Sequence, residues 1–234
     1  MSGFFTLHRD LSREGPGEAA DVHWALGQVG VPLRVADLAC GPGADLVTLA
    51  EALPGAQIDG LDRQAHFVAA ARALVARFGD RVTVRQGDMA VPGGPYDLIW
   101  CAGAVYFPGI AVALGLWHSA LAPGGHSGFS EPVLLGQPAS ATVRRFWQGE
   151  ADVTGQEWIA ARVEAAGFRT IGTRVIVGAA WAACYEPMTR RIEALRAGAD
   201  AQLASALDEA AREIALWRHT PDEIAYLLSV VTPR

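Results

Sequence analysis

Short apolar segments rich in β-branched residues alternate with segments of helical periodicity along most of this chain. The apolar segments predict strands at 33–39, 56–61, 81–86, 96–101, 125–130 and 168–177. Between them apolar residues recur every three or four positions, as in Leu46, Leu49 and Leu53. Thr154 and Glu157 have the spacing of a capping box at the start of a further helix. Repeated β-α units of this length predict an α/β fold, a mostly parallel sheet with helices on both faces.

The two ends of the chain differ from this alternating core. Residues 17–29 predict a leading helix, and the residues after the sixth strand predict a helical hairpin interrupted at "AGAD" (197–200). The segment 223–232 predicts a final strand. No repeat or low-complexity linker separates these parts, so we expect one domain over 1–234. Its expected parts are an N-terminal cap (1–30), a core (31–178), a helical insert (179–220) and the final strand (221–234).

Charge and cysteine content disfavour several classes of protein. The chain has 19 lysine and arginine residues against 25 aspartate and glutamate residues, which disfavours a nucleic-acid partner. The sequence begins without a secretory signal and has no apolar run long enough to cross a bilayer. Its three cysteines are widely spaced, which fits neither a disulfide framework nor a metal site. We therefore expect a cytoplasmic protein with no membrane partner and no metal.

The segment "VADLACGPGAD" (35–45) is the first candidate binding loop. Gly41 and Gly43 lie between the first strand and the first helix, where open parallel sheets bind their ligands. The third glycine of a dinucleotide fingerprint is missing. Asp37 and Asp45 flank the loop, and their carboxylates disfavour a pyrophosphate. The loop therefore favours a cationic ligand.

Two further acidic residues follow the next strands. Asp62 ends the second strand, where a carboxylate accepts hydrogen bonds from ribose hydroxyls. Asp88 follows the third strand in "QGDM" (86–89), placed to accept a hydrogen bond from an adenine amino group, with Met89 packing on the ring. The fourth strand ends in the small residues of "WCAGAVY" (100–106), which leave room for the reactive end of a ligand. These positions predict a nucleoside cofactor.

The segments "VADLACGPGAD", "IDGLD", "QGDM", "YDLIWCAGAVY" and "LAPGG" resemble, in order and spacing, the motifs of class I S-adenosylmethionine-dependent methyltransferases. The resemblance is strongest over 33–132. It implies a Rossmann-like sheet of seven strands in the order 3-2-1-4-5-7-6, with strand 7 antiparallel. It also implies S-adenosyl-L-methionine as cofactor and S-adenosyl-L-homocysteine as product.

The resemblance assigns cofactor-binding roles residue by residue. Asp37, Ala39, Gly41 and Gly43 would surround the methionine part, Asp62 and Arg63 the ribose, Asp88 and Met89 the adenine, and Cys101 would offer its carbonyl near the cofactor's amino group. One position departs from the family pattern, because Ala39 stands where a glycine is usual. A methyl group is tolerated there if the φ angle of the residue is negative.

The expected reaction is in-line methyl transfer to a small-molecule acceptor, and the "Asn/Asp-Pro-Pro-aromatic" motif of DNA and glutamine methyltransferases is absent. "EGPG" (14–17) and "GAVY" (103–106) resemble bacterial small-molecule methyltransferases, in which we expect the N-terminal segment to fold over the cofactor. Substrate choice is expected to depend on this lid, on a loop at 132–151 and on the insert.

Two residues are the catalytic candidates, Tyr106 and Glu131. The expected substrate pocket comprises Arg9, Tyr106, Trp147, Trp181 and Tyr185, with His8 able to reach it beside Arg9.

Other functions remain open on the sequence alone. The fold could use the cofactor for other chemistry, such as aminopropyl transfer, or serve as a non-catalytic binding module. An NAD-dependent dehydrogenase is disfavoured by the missing third glycine. A nucleophilic Cys40 is disfavoured because Asp37 and Asp45 would raise the pKa of its thiol. The methylated atom and the oligomeric state do not follow from the sequence.

Overall fold

The computed structural model describes residues 3–136, 139–150 and 155–234, and seven strands in this part of the chain form one sheet. The strands are β1 (Arg34–Leu38), β2 (Gln57–Asp62), β3 (Val82–Gln86), β4 (Tyr96–Ala102), β5 (Leu121–Leu134), β6 (Phe168–Ile176) and β7 (Ile224–Pro233). Their order is β3-β2-β1-β4-β5-β7-β6, and β7 runs antiparallel to both of its neighbours. The predicted fold class and strand order are confirmed.

Helices cover both faces of the sheet. They are α1 (Gly3–His8), α2 (Ala19–Val29), α3 (Ala44–Ala52), α4 (Ala65–Val75), α5 (Ile110–Trp117), α6 (Ala141–Glu150), α7 (Gln156–Ala165), α8 (Ala179–Arg196) and α9 (Ala201–His219), with short 3-10 helices at Ala76–Arg81 and His118–Ala120. Strand β4 has apolar side chains on both sides, so helices must cover both faces of the sheet to bury them. Leu98 and Trp100 pack with α3 and the insert, whereas Ile99 and Cys101 pack under α5 and α7.

The sheet has a crevice at the carboxyl ends of β1 and β4. From β1 the chain proceeds outward to β2 and β3 on one side, and β4 returns beside β1 to begin the other half. The loops after β1 and β4 therefore leave the sheet in opposite directions. In doubly wound sheets this reversal is where ligands bind. The predicted binding loop lies directly at it.

The helical insert holds the N-terminal cap in place. Nε of Arg191 donates a 2.6 Å hydrogen bond to the carbonyl of Leu7, and its Nη2 donates a 2.9 Å bond to the carbonyl of Thr6. Both carbonyls belong to the last turn of α1. At Gly3 any Cβ would stand 2.6 Å from the carbonyl oxygen of Gln202, so α1 packs closely on α9.

Three local features differ from the sequence expectations. Strand β5 extends to Leu134 because it pairs continuously with β7 up to that residue. Helix α6 lies within the segment expected to be a loop. Helix α7 begins after Gly155, and Thr154 of the expected capping box lies outside the described residues. Among the described helices, none combines the length and hydropathy that a membrane span requires.

Candidate active site

The loop after β1 is built on two glycines in the left-handed region. Gly41 has a φ of 53° and Gly43 a φ of 99°, conformations that glycine adopts without the strain of a side chain. A Cβ at Gly41 would stand 3.3 Å from Cγ of Glu14, and one at Gly43 would stand 3.1 Å from the Cβ of Ala71. The loop therefore lies between the N-terminal cap and α4, with no space for side chains.

Asp62 anchors this loop from the end of β2. Its Oδ2 accepts a 3.0 Å hydrogen bond from the backbone N–H of Gly41, and its Oδ1 accepts a 2.8 Å bond from that of Gln64. Burial raises the pKa of the Asp62 carboxyl, while these backbone donors act in the opposite direction. Each carboxylate oxygen keeps a second lone pair for a ligand. The ribose role of Asp62 stays a prediction.

Asp37 is a buried acid without a partner at one oxygen. The residue is 2% exposed, and its Oδ2 has no hydrogen-bond partner. Burial, and then the negative charge of Asp45, raise the pKa of the Asp37 carboxyl well above its ordinary value. A hydrogen-bond donor that carries positive charge would stabilise the ionised form of this buried carboxyl.

Asp45, the other acid beside the loop, already has two partners. Arg13 Nη2 donates a 2.5 Å hydrogen bond to its Oδ1, and Trp100 Nε1 donates a 2.9 Å bond to its Oδ2. The side chains of both Arg13 and Asp45 are largely buried. Of the two acids that flank the loop, Asp37 is therefore the one with an oxygen left for a ligand.

The first cavity lies between this loop and the N-terminal cap, with an empty volume of about 400 Å³. Asp37, Ala39 and Gly41 line it from the sheet side. Arg13 and residues 14–16 line it from the cap. The segment expected to fold over a cofactor thus forms one wall of the cavity.

Beyond β3 the predicted adenine residues lie at the same end of the sheet. The backbone N–H of Ala90 donates a 2.9 Å hydrogen bond to Oδ1 of Asp88, which fixes the turn. Oδ2 of Asp88 lies 3.9 Å from Nε of Arg63, and both side chains are exposed. The carbonyl of Met89 accepts a 2.8 Å bond from Trp117 Nε1. These contacts fix the turn after β3, while the side chains of Asp88 and Arg63 stay exposed.

A second and larger cavity, with an empty volume of about 1130 Å³, adjoins the first. Its aromatic lining residues are Phe4, Tyr106, Trp147, Tyr185 and Tyr226, and its charged or titratable ones are His8, Glu14, Glu209 and Glu213. Residues 14–16 line both cavities. The two cavities are therefore neighbours, and a group transferred from a ligand in one to a ligand in the other would pass close to residues 14–16.

Comparison with known proteins identifies the core. Residues 35–125 match the family model of a methyltransferase domain. The fold superimposes on a SAM-dependent methyltransferase from Geobacter sulfurreducens, solved with S-adenosyl-L-homocysteine, with a TM-score of 0.81 and 23% identity. That alignment covers 100% of this chain and 99% of the other. Residues 35–125, from β1 to the start of β5, are therefore similar to a methyltransferase domain, and the whole chain shares the fold of the solved methyltransferase.

The curated relatives match about half of the length of this chain. A trans-aconitate 2-methyltransferase of Streptomyces avermitilis is 36% identical over 118 residues, which are 48% of this chain and 44% of that protein. Another from Methylobacterium nodulans is 34% identical over 138 residues, 58% of this chain and 49% of that protein. The matched regions likewise span about half the length of these relatives.

The structure brings most of the predicted site residues together. Asp37, Ala39 and Gly41 line the first cavity, and Tyr106, Trp147 and Tyr185 line the second. Gly43 and Asp62 shape the loop, and Arg63, Asp88 and Met89 lie beside it. Cys101 is the next-to-last residue of β4, and its side chain is fully buried under α5 and α7.

Two predicted pocket residues lie elsewhere. Trp181 is fully buried, donates a 3.0 Å hydrogen bond from Nε1 to the carbonyl of Ile176, and packs edge-on against Tyr185 with ring centroids 5.5 Å apart. It therefore supports the cavity wall from behind. Arg9 is exposed and does not line the second cavity, whereas its neighbour His8 does. Of these two predicted cap residues, His8 lines the cavity, and a role for Arg9 stays a prediction.

Glu131, one of the two catalytic candidates, lies on the opposite face of the sheet. Successive side chains of a strand alternate between faces, so Glu131 shares its face with Phe129 and Val133, which pack under α5 and α7. Pro132 and its partner Tyr226 face the second cavity instead. Burial raises the pKa of the Glu131 carboxyl to about 7, and its Oε2 has no partner. The geometry therefore gives it no place among the residues that line either cavity.

Ala39 adopts the conformation that the sequence expectation excluded. Its φ is 55°, in the left-handed region, instead of negative. A Cβ in this region costs roughly 1–2 kcal/mol. The backbone at Ala39 thus has a conformation that favours glycine, although the residue carries a methyl group and lines the first cavity.

Several site residues were not predicted from the sequence. Arg13, Glu213 and Tyr226 belong to the cap, to α9 and to β7, where no local motif marks them. The structure also disfavours a nucleophilic Cys40. Burial is the largest cause that raises the pKa of its thiol, and the negative charges of Asp37 and Asp62 raise it further. Among the described residues no cluster of side chains has a metal-binding arrangement.

Proposed function

We propose that this chain binds S-adenosyl-L-methionine in the first cavity and catalyses transfer of its methyl group to a small molecule held in the second. The observation that carries the proposal is the wall that the two cavities share, formed by residues 14–16. A cofactor and an acceptor on either side of this wall would meet with water largely excluded. Methyl transfer depends mainly on such alignment.

The residues of the first cavity suit this cofactor chemically. The unpartnered Oδ2 of Asp37 is an acceptor for the cofactor's ammonium group, and Gly41 forms part of the cavity wall without a side chain. Asp62 and Asp88 would hold the ribose and the adenine. The cofactor supplies a methyl group on a positively charged sulfur, which keeps the bonding electron pair as the methyl group leaves.

The proposed acceptor is a small molecule because the second cavity is a confined space between the cap and the insert. The curated relatives from Streptomyces avermitilis and Methylobacterium nodulans are named for trans-aconitate, which is also a small molecule. The net charge of −6 disfavours a nucleic-acid acceptor. The chain's own residues contribute by holding both ligands and excluding water.

Isothermal titration calorimetry with S-adenosyl-L-homocysteine and with NAD tests this assignment. We expect S-adenosyl-L-homocysteine to bind and NAD not to bind. The variant Asp37→Asn loses the carboxylate charge and should bind about tenfold more weakly, whereas the exposed control Asp80→Asn should bind as the wild type does. Preferential binding of NAD, or unchanged affinity in Asp37→Asn, would overturn the proposal.

A further inference from the structure

The charge on the wall of the second cavity is negative. Glu14, Glu209 and Glu213 line it, and no arginine does so among the residues that the structure describes. The sequence contains no lysine, and the residues outside the described ranges include no arginine. His8 is the one lining side chain in the described part that can carry positive charge, and it lies 2.7 Å from Glu14.

Aromatic rings make up much of the remaining wall. Tyr106, Trp147, Tyr185 and Tyr226 surround the interior, and Phe4 lies at the α1 side. The hydroxyl of Tyr185 donates a 2.5 Å hydrogen bond to Oε1 of Glu213, so this carboxylate is fixed within the aromatic wall. Aromatic faces attract cations, most strongly where water is excluded.

Two of the residues that line this wall each have a buried polar atom without a hydrogen-bond partner. One is Oε1 of Glu14, whose other oxygen accepts the hydrogen bond from His8. The other is Nε1 of Trp147, a residue that is 7% exposed. Buried polar atoms are rarely left unsatisfied, so each calls for a ligand group, a cation or donor at Glu14 and an oxygen acceptor at Trp147.

We propose that the second cavity receives a protonated amine that also carries a hydroxyl or carbonyl oxygen. Its ammonium group lies near Glu14 and Glu213 among the aromatic rings, and its oxygen accepts a hydrogen bond from Trp147. This deepens the proposed function and rests on it. The relatives' trans-aconitate carries carboxylates, which would face the carboxylates of this wall without a compensating arginine.

Glu14 also has the position to receive a proton. A protonated amine has no free electron pair, so it must lose a proton before its nitrogen can bond to a methyl carbon. Glu14 lines both cavities, which places its carboxylate at the wall where transfer would occur. The proton passes from the ammonium group to Oε1, and the nitrogen keeps the electron pair with which it attacks.

Three phenols of nearly equal shape test the charge preference. They are tyramine, which is cationic, tyrosol, which is neutral, and 4-hydroxyphenylacetate, which is anionic. Calorimetry on the full chain, without cofactor, should show tyramine binding about tenfold more tightly than tyrosol and 4-hydroxyphenylacetate binding most weakly. Glu14→Gln and Glu213→Gln should each weaken tyramine binding about fivefold or more and leave tyrosol binding unchanged.

Controls separate this inference from the proposed function. Glu186→Gln, an exposed substitution on α8, should bind tyramine as the wild type does. S-adenosyl-L-homocysteine binding is measured in the same variants, and its failure would count against the proposed function alone. Tighter binding of 4-hydroxyphenylacetate or trans-aconitate than of tyramine would overturn the inference. So would no tyramine binding at millimolar concentration, or wild-type tyramine affinity in both glutamine variants.

Discussion

Arg13 of the N-terminal cap and Asp45 of α3 form a 2.5 Å ion pair that joins the cap to the binding loop. The same carboxylate accepts a hydrogen bond from Trp100, in the centre of the sheet. The cap is therefore positioned by a buried charge pair at one end and by Arg191, which binds the carbonyls of α1, at the other. This arrangement forms the cap side of both cavities from a segment that precedes the core in sequence.

The ion pair predicts that Arg13 matters for both stability and binding. Arg13→Met leaves Asp45 buried without its cation, a loss that typically costs about 3 kcal/mol or more in free energy of unfolding. Urea denaturation measures this loss, and calorimetry should show weaker binding of S-adenosyl-L-homocysteine. Arg9→Ala, at an exposed position, should change both quantities little. Equal effects of the two substitutions would contradict the assigned role of the ion pair.

Ala39 predicts a stabilising substitution inside the first cavity. Its φ of 55° is strained for alanine, and Ala39→Gly removes the Cβ that causes the strain. Part of the gain is offset by the greater chain entropy of glycine when unfolded, so we expect a net stabilisation of about 0.5–1 kcal/mol. Thermal denaturation checks the sign. Ala36→Gly, within β1, should destabilise instead; destabilisation by both would refute the strain argument.

The raised pKa of Glu131 predicts that the stability of the fold depends on pH, independently of catalysis. Its folded pKa of about 7 exceeds the ordinary 4.5, so the folded chain holds this proton more tightly than the unfolded chain. The resulting stabilisation is complete below pH 4.5 and is lost as the pH rises through about 7. Glu131→Gln should therefore be more stable than wild type at pH 8, by on the order of 2 kcal/mol, and equal to it near pH 4.5.

Denaturation curves of the wild type and Glu131→Gln across this pH range measure the effect. Methyl transfer by Glu131→Gln should stay close to wild type, since the side chain lines neither cavity. A stability difference that does not vary with pH would contradict the raised pKa of Glu131, and a large loss of turnover would restore this residue as a catalytic candidate.

Tyr106 predicts a functional effect without a large stability effect. It lines the second cavity and interacts electrostatically with Tyr226, so removal of its hydroxyl should alter acceptor binding or turnover severalfold. Tyr96→Phe is the matched control. Its hydroxyl donates a 3.0 Å hydrogen bond to Asp59, away from both cavities, and its loss should lower stability while turnover is kept. A Tyr106→Phe variant with unchanged kinetics would remove this residue from the site.

Local pattern predicted the sheet and the binding loop because both depend on nearby residues. The alternation of strands and helices fixes the crevice, and the loop motif places Asp37, Gly41 and Asp62 at it. The pairing of Arg13 with Asp45 could not be found this way, since it joins residues 32 positions apart through the tertiary fold. The same holds for Glu213 and Tyr226, which reach the second cavity from α9 and β7.

Glu131 was misplaced for a different physical reason. The predicted fifth strand ended at 130, which left Glu131 in a loop at the ligand end of the sheet. The observed strand continues to Leu134, and alternation along it puts Glu131 on the face of Phe129 and Val133. From position 125 onward only Phe129 and Val133 are apolar on that face, and the glycines and serines before them obscured the extent of the strand.

A crystal structure with S-adenosyl-L-homocysteine bound tests the central claim most directly. We expect the amino group to lie on Asp37, the ribose on Asp62 and the adenine beside Asp88. We also expect the sulfur to face the second cavity across the wall formed by residues 14–16. A ligand bound outside this crevice, or a sulfur directed away from the second cavity, would contradict the claim.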